Sequence, residues 1–168
     1  MSRAASLPHV DEHSTDVGAG ADDVWRALQD ALDAAFSRRG AGAYTRAVGC
    51  ADTQASGPRP LATGSTVPGF HVTAAAPGRE LLLEGSHRFS TYALVFRLDP
   101  LGPDRTLLRA ETRAAFPGAS GGLYRLLVIR TGGHVVGVRR LLAGVRRRAQ
   151  AQRALSSART ASRGRRRR

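Results

Sequence analysis

Hydrophobic and polar residues alternate through the middle of the chain in a way that predicts four β-strands. Residues 70–76, 80–87, 91–98 and 106–116 each have the period of two that places successive side chains on opposite faces of a sheet. The residues expected on one, mostly apolar face are Phe70, Val72, Ala74, Leu81, Leu83, Tyr92, Leu94, Phe96, Leu98, Leu108, Ala110, Thr112 and Ala114, whereas Glu84, Arg97, Arg109, Glu111 and Arg113 fall on the other. One apolar and one charged face are typical of an antiparallel sheet.

A second apolar pattern repeats with the spacing of a long helix. Ser120 is a suitable N-cap, and apolar side chains recur every three or four residues from residue 123 to about residue 148. The resulting stripe consists of Leu123, Leu127, Thr131, His134, Val138, Leu141 and Val145. This stripe would cover the apolar face of the sheet. The sequence therefore predicts an α+β fold in which a curved antiparallel sheet of about six or seven strands is wrapped on a long C-terminal helix.

The N-terminal part supplies the remaining predicted elements. A strand is expected at residues 9–17, a tight turn at residues 18–20 and a helix at residues 21–36, followed by a short strand at residues 43–48. Residues 50–64 are rich in Gly, Pro, Ser and Thr and are expected to form a loop, with a short strand near residues 61–67. The predicted organisation is a flexible N-terminus at residues 1–8, one domain at residues 9–148 and a disordered arginine-rich tail at residues 149–168.

The distribution of charge changes the meaning of the net charge of +13. Twelve of the 26 basic residues, all arginines, lie at or after Arg139, where no acidic residue occurs. The 14 arginines that remain face all 13 acidic residues, so the domain carries a charge of about +1. A nucleic-acid-binding fold more often carries its positive charge on a folded face. Contact of the tail with nucleic acid or an anionic membrane stays open as a weaker, salt-sensitive alternative.

Several other classes of site are not supported by the sequence. The single cysteine, Cys50, allows no internal disulfide, and neither a signal peptide nor a membrane-spanning segment is evident, so we expect a soluble cytoplasmic protein. Residues 18–23 imitate a dinucleotide fingerprint but lack its third glycine and carry two carboxylates where a pyrophosphate would lie. His9 and His13 would be about 13 Å apart on one face of a strand, too far to share an ion. We expect no cofactor and no metal.

The order of these segments resembles the helix-grip fold of the SRPBCC superfamily, which includes START lipid-transfer domains, pollen allergens and polyketide cyclases/dehydrases. The residues that carry the resemblance are the Asp-Asp-Val-Trp opening of the first helix at 22–25 and the strands at 69–72, 81–85 and 92–96, while 87–90 and 116–125 resemble a bacterial branch of the superfamily. The resemblance covers residues 9–148. It implies a cavity between sheet and C-terminal helix that holds an apolar ligand, but no single chemistry.

Polar residues on the apolar surfaces are the candidates for contact with such a ligand. His134 lies within the helix stripe, one turn after Thr131, and could be either a satisfied core histidine or a ligand contact. His87, Tyr92 and Tyr124 are the other polar-tipped groups expected to face inward. The full set of candidate cavity residues is Phe70, Val72, His87, Tyr92, Leu94, Phe96, Thr112, Tyr124, Leu127, Val128, Thr131 and His134.

Three functional hypotheses remain open. The first is a binding protein for an apolar small molecule. The second is an enzyme similar to polyketide cyclases or dehydrases, in which His134, His87 or Tyr92 acts as the acid or base. The third is association with nucleic acid or an anionic membrane through the arginine-rich tail.

Overall fold

The structure of the chain is a computed structural model that describes residues 3–36, 41–118 and 133–165. In the described residues, a single antiparallel sheet lies against two long helices. A 3₁₀ turn precedes the sheet in the chain, and a third, shorter helix follows the first long one. The elements are a 3₁₀ turn at Arg3–Ser6, β1 at His9–Val17, α1 at Ala21–Phe36, α2 at Ala41–Val48, β2 at Thr66–Val67, β3 at Phe70–Ala76, β4 at Glu80–His87, β5 at Ser90–Gly102, β6 at Arg105–Ala115 and α3 at Gly133–Arg165.

The six strands are ordered β1-β6-β5-β4-β3-β2, and each pair is antiparallel. Strands β3 to β6 follow one another through tight turns. The turn between β3 and β4 requires Gly78, whose φ of 70° is in the left-handed region that favours glycine. Only β1 is out of sequence order, because it crosses the molecule to pair with β6. The predicted α+β helix-grip fold is thereby confirmed.

The main core forms where the apolar face of the sheet meets α1 and α3. Phe96 and Leu108 are fully buried there, together with Leu28 of α1 and Val145 of α3. These positions follow the alternation that the sequence predicts, with one exception. A β-bulge between Val72 and Ala74 reverses the parity of β3, so that Ala74 packs on the opposite face of the sheet instead.

The opposite face is not uniformly charged. Leu82, Ala93 and Val95 form a small apolar cluster with Ala4 and Leu7 from the N-terminal segment. The sequence predicts a flexible segment at residues 1–8, but residues 3–8 lie across the sheet in the structure. The backbone N–H of Ala4 donates to Glu84 Oε1 at 2.9 Å. The apolar residues on this face explain why a covering segment is needed.

Buried charge on the same face is centred on Glu111, which is 5 % exposed. Its carboxylate accepts hydrogen bonds from Arg97 Nη1 and from Arg113 Nε, each at 2.7 Å, and lies 3.3 Å from His9 Nδ1. Burial acts to raise the pKa of Glu111, but the hydrogen bonds from Arg97, His9 and Arg113 outweigh it and lower the pKa to about 2. Glu111 is therefore ionised over the physiological pH range.

Two local predictions are wrong. Residues 43–48 belong to helix α2 rather than to a strand. The helix ends at Gly49, with φ 77°, where the N–H of Cys50 donates to Thr45 O at 2.8 Å, the bond of a Schellman C-cap. The C-terminal helix also continues past residue 148, through the predicted disordered stretch to Arg165. Ala149 is fully buried, and Arg153 Nη1 donates to Gly18 O at 3.0 Å, so domain contacts extend beyond the predicted end of the helix.

Within the described residues, no helix is both long and apolar enough to cross a membrane.

Candidate functional site

A cavity of about 480 Å³ opens between the sheet, the helices α1 and α2 and the first turns of α3. This volume is in the range of small-molecule binding sites. The described residues that line it are Val10, Ala35, Phe36, Thr45, Cys50, Pro68, Gly69, Phe70, His87, Ser90, Tyr92, Ala93, Leu94, Thr112, Ala114, Phe116, His134, Gly137, Val138 and Leu141. None of these residues is an arginine, aspartate or glutamate, so in the described part of the chain the wall is apolar with a few neutral polar groups.

Half of the predicted site residues lie in this wall. Those that line the cavity are Phe70, His87, Tyr92, Leu94, Thr112 and His134. Val72 and Phe96 lie on the predicted face, but both are buried in the main core and do not line the cavity. Tyr124, Leu127, Val128 and Thr131 are outside the described residues. Whether any of these residues contacts a ligand stays a prediction.

A row of aromatic rings forms one side of the cavity. The ring centroids of Phe36 and Phe70 are 5.2 Å apart, and those of Phe70 and Tyr92 are 5.0 Å apart in an edge-to-face arrangement. The His87 ring continues the row at 5.5 Å from Tyr92. These separations are typical of favourable aromatic pairs, which hold one another in place. The rings are inclined to one another by 52–74°, so the row lines the cavity with ring edges as well as ring faces.

The hydroxyl of Tyr92 is fixed by the backbone of the segment before β3. It donates a hydrogen bond to Gly69 O at 2.9 Å, and Cys50 Sγ lies 3.7 Å from the same hydroxyl oxygen. The Tyr92 ring lies against Gly85, its partner across β4 and β5. A Cβ atom at Gly85 would be only 2.5 Å from Tyr92 Cε2, so glycine is required at this position for the observed ring position.

The turn between β4 and β5 fixes which ring nitrogen of neutral His87 carries the proton. The N–H of Phe89 donates to His87 Nδ1 at 3.1 Å, and His87 Nε2 lies 3.1 Å from Ser90 Oγ. An imidazole nitrogen that accepts a hydrogen bond carries no proton, so the proton of the neutral ring is on Nε2 and is donated to Ser90. Burial lowers the pKa of His87, which favours this neutral form.

A second polar group, at the start of α3, joins the helix to the sheet. His134 Nε2 lies 2.9 Å from Thr112 Oγ1 and 3.7 Å from Asp11 Oδ1. His13 Nε2 lies 3.5 Å from the other carboxylate oxygen of Asp11. Asp11 Oδ1 is buried and forms no hydrogen bond with the described residues, so Thr112 Oγ1 is the group within hydrogen-bond distance of His134 Nε2.

Asp11 was missed by sequence reasoning because a β-bulge lies between His9 and Asp11. The bulge places His9 at Glu111 on the outer face, whereas Asp11 and His13 pair with Thr112 and Ala110 of the inner face. The expectation that both histidines share a face is therefore wrong. Ser90 and Cys50 were also missed, because each lies in or next to a turn, where alternation gives no side-chain direction.

Within residues 3–36, 41–118 and 133–165, there is no cluster of three or more His, Cys, Asp or Glu side chains placed to hold a metal ion.

Comparison with known proteins identifies the fold but gives no close relative. No protein-family model matches the sequence, and no curated protein matches it significantly. Among solved structures, a norcoclaurine synthase point mutant from Thalictrum flavum, in complex with a transition-state analogue, is 13% identical, with a TM-score of 0.55 over 88% of this chain and 99% of that one. The Zhui aromatase/cyclase from a Streptomyces species is 17% identical, with a TM-score of 0.52 over 86% of this chain and 94% of that one.

A second norcoclaurine synthase structure from Thalictrum flavum, in complex with dopamine and hydroxybenzaldehyde, is also similar. It is 13% identical, with a TM-score of 0.50 over 83% of this chain and 87% of that one. At these identities the likeness concerns the fold alone. The chain has the helix-grip fold of these solved structures.

Proposed function

We propose that this chain, with its SRPBCC helix-grip fold, binds an uncharged, largely apolar small molecule in the cavity between sheet and α3. The observation that carries the proposal is a cavity of about 480 Å³ whose described lining is apolar apart from a few neutral polar groups. Burying a charged ligand there would be costly, because no opposite charge in the described lining would pair with it. A neutral ligand of moderate size would avoid that cost.

The structural neighbours support the same use of the fold. One norcoclaurine synthase structure holds a transition-state analogue, and another holds dopamine and hydroxybenzaldehyde, which are small aromatic compounds. The aromatic row of Phe36, Phe70 and Tyr92 would offer an aromatic ligand both ring faces and ring edges to pack against.

Gly137 provides a direct test of cavity binding. It lines the cavity, and a Cβ atom placed there would meet nothing within 4 Å. Gly137→Phe should fill the space, whereas Gly137→Ala at the same position should leave most of it open. Native mass spectrometry of gently purified protein should show a co-purified small molecule on the wild type and on Gly137→Ala, but not on Gly137→Phe. An equal ligand mass on both variants would contradict the proposal.

A catalytic role is the second candidate, and the contact between Asp11 and His134 favours it. A histidine near a carboxylate at the wall of an apolar cavity is a candidate general base, and here Asp11 Oδ1 lies 3.7 Å from His134 Nε2, which is 2.9 Å from Thr112 Oγ1. His87 is the weaker candidate, since both ring nitrogens are engaged within its own turn. The imidazole of His134 could act as the acid or base of a cyclisation.

Turnover of a linear poly-β-ketone thioester, followed by mass spectrometry of the products, tests this candidate. His134→Ala should abolish cyclisation beyond the spontaneous background, and Asp11→Asn should lower it. If the wild type forms no more cyclic product than buffer alone, the catalytic candidate is wrong while binding stands.

The basic face of α3 keeps a third role open. Arg139, Arg140, Arg146 and Arg147 are exposed, and they make no ion pair with any described residue. Positions seven residues apart lie on the same side of a helix, so the two pairs form one positive stripe. Few large apolar side chains accompany them on the described surface, which favours nucleic acid over insertion into a lipid surface.

Replacing these four arginines with glutamine would test the stripe without removing buried contacts of α3. Fluorescence anisotropy with a labelled duplex RNA should then show binding by the wild type that weakens steeply with salt and is lost in the variant. Binding that survives the four substitutions would exclude the stripe as the contact surface.

A further inference from the structure

The hydrogen bond between the His87 and Ser90 side chains has a fixed direction, and both residues line the cavity. Ser90 begins β5, is 3 % exposed and lines the cavity together with His87. The chain of donors starts at the backbone N–H of Phe89, which donates to His87 Nδ1 at 3.1 Å. Because Nδ1 accepts, the ring proton is on Nε2, 3.1 Å from Ser90 Oγ.

Ser90 Oγ is therefore the acceptor in its contact with His87. A serine hydroxyl has one proton to donate, and the imidazole nitrogen that it faces already carries a proton. Among the described residues, the Ser90 hydroxyl forms a side-chain hydrogen bond with His87 and with no other residue. The hydroxyl proton is left for an acceptor in the cavity.

The neighbouring hydroxyl, that of Tyr92, has its proton already engaged. Tyr92 donates its single phenolic proton to Gly69 O at 2.9 Å, so the thiol of Cys50, 3.7 Å away, is the donor in its contact with the Tyr92 oxygen. The Tyr92 oxygen is thus the acceptor in its contact with Cys50, and its proton is not available to a ligand, whereas Ser90 presents a donor. The two groups cannot exchange these roles without breaking the contact with the backbone of Gly69 or that with Phe89.

We infer that Ser90 is a specificity-determining residue that donates a hydrogen bond to a carbonyl oxygen of the ligand, so that the cavity selects uncharged aromatic ketones and related carbonyl compounds over hydrocarbons of the same shape. This inference rests on the proposed binding function. A carboxylate would also accept the hydrogen bond, but its charge would have no cationic partner in the described lining. A hydrocarbon would leave the Ser90 hydroxyl buried without an acceptor.

Benzophenone and diphenylmethane are suitable probes, because they have nearly the same shape and differ by one carbonyl oxygen. Isothermal titration calorimetry should give the dissociation constants of both compounds for the wild type and for Ser90→Ala, after circular dichroism has established that the variant folds. Loss of one net hydrogen bond should weaken benzophenone binding about fivefold. Diphenylmethane binding should change by less than about twofold, since it forms no such bond.

Two further variants separate the hydroxyl from a general effect of altering the wall. Ser90→Thr keeps the hydroxyl and should restore the preference for benzophenone. Cys50→Ala alters the same wall without removing the Ser90 donor, and it should change the binding of both probes by the same factor. The carbon NMR signal of carbonyl-labelled benzophenone gives an independent readout. It should lie downfield in the wild-type complex and move upfield in Ser90→Ala.

The outcomes distinguish this inference from the proposed function. If both probes bind but Ser90→Ala weakens them equally, or leaves the carbonyl signal unchanged, the role of Ser90 is refuted while cavity binding stands. If neither probe binds the wild type, both the inference and the cavity-binding proposal that supports it are overturned.

Discussion

Replacing Gly85 with alanine places a methyl group where two well-fixed groups already lie. The new Cβ atom would be 2.1 Å from Gly69 O and 2.5 Å from Tyr92 Cε2, both far inside the van der Waals contact distance. Gly69 cannot easily retreat, because its φ of 88° is held by the turn before β3 and its N–H donates to Asp52 O at 2.7 Å. Strand β4 must therefore shift away from Gly69 O, the Tyr92 ring must move, and the hydrogen bond between the Tyr92 hydroxyl and Gly69 O is disrupted.

The expected cost follows from these two changes. Overpacking of this kind costs about 1–3 kcal/mol, and a lost hydrogen bond adds about 1 kcal/mol. The free energy of unfolding of Gly85→Ala should thus fall by about 2–4 kcal/mol. For a chain of 168 residues this corresponds to a decrease of about 4–16 °C in Tm.

Thermal and urea unfolding followed by circular dichroism would measure the effect, with Gly137→Ala as the matched control. The same change at Gly137 lies in helix α3 and meets nothing within 4 Å, so it should stabilise the protein by about 0.5–1 kcal/mol. Opposite signs at the two positions would support the packing described for Tyr92. A Gly85→Ala variant as stable as the wild type would refute it.

Two further predictions concern charge. The pKa of Glu111 is about 2 in the folded protein, against a usual value of 4.5. The ionised carboxylate therefore contributes stability that is complete above about pH 4.5 and is lost as the pH falls towards 2. Glu111→Gln should lower the free energy of unfolding at pH 7 by about 1–3 kcal/mol and flatten its pH dependence between pH 2 and 4.5, as urea titrations at several pH values would show. Arg153→Ala removes the hydrogen bond to Gly18 O and the ion pair with Asp104, so amide hydrogen exchange should accelerate in residues 150–156 while global stability changes by no more than about 1 kcal/mol.

The sheet and its inner face could be predicted because alternation is a strong signal over strands of seven or more residues. Phe70, Tyr92, Leu94 and Thr112 were placed on the correct face for that reason. Alternation does not show how far along the face a helix extends, so Phe96 was expected in the cavity wall but is buried in the main core.

The features that could not be predicted depend on single-residue irregularities. The bulges at residues 72–74 and 9–11 reverse the side-chain direction, and no residue type in either segment marks them. Gly49 was interpreted as the end of a strand, although a glycine serves equally well as the C-cap of a helix. The partner of His134, Asp11, is more than a hundred positions away in sequence, and only the pairing of β1 with β6 brings the two together.

The pairing of β1 with β6 also has a consequence for biosynthesis. His9 leaves the ribosome early, but its partner Arg113 is translated about a hundred residues later. Until then β1 is an unpaired segment, and the Asp11 end of the cavity cannot form. Contacts between such distant residues slow folding, which for sheet-rich domains takes milliseconds to seconds. Nascent chains stalled before β6 should therefore remain sensitive to protease and available to chaperones, whereas chains that extend past β6 and α3 should become protected together.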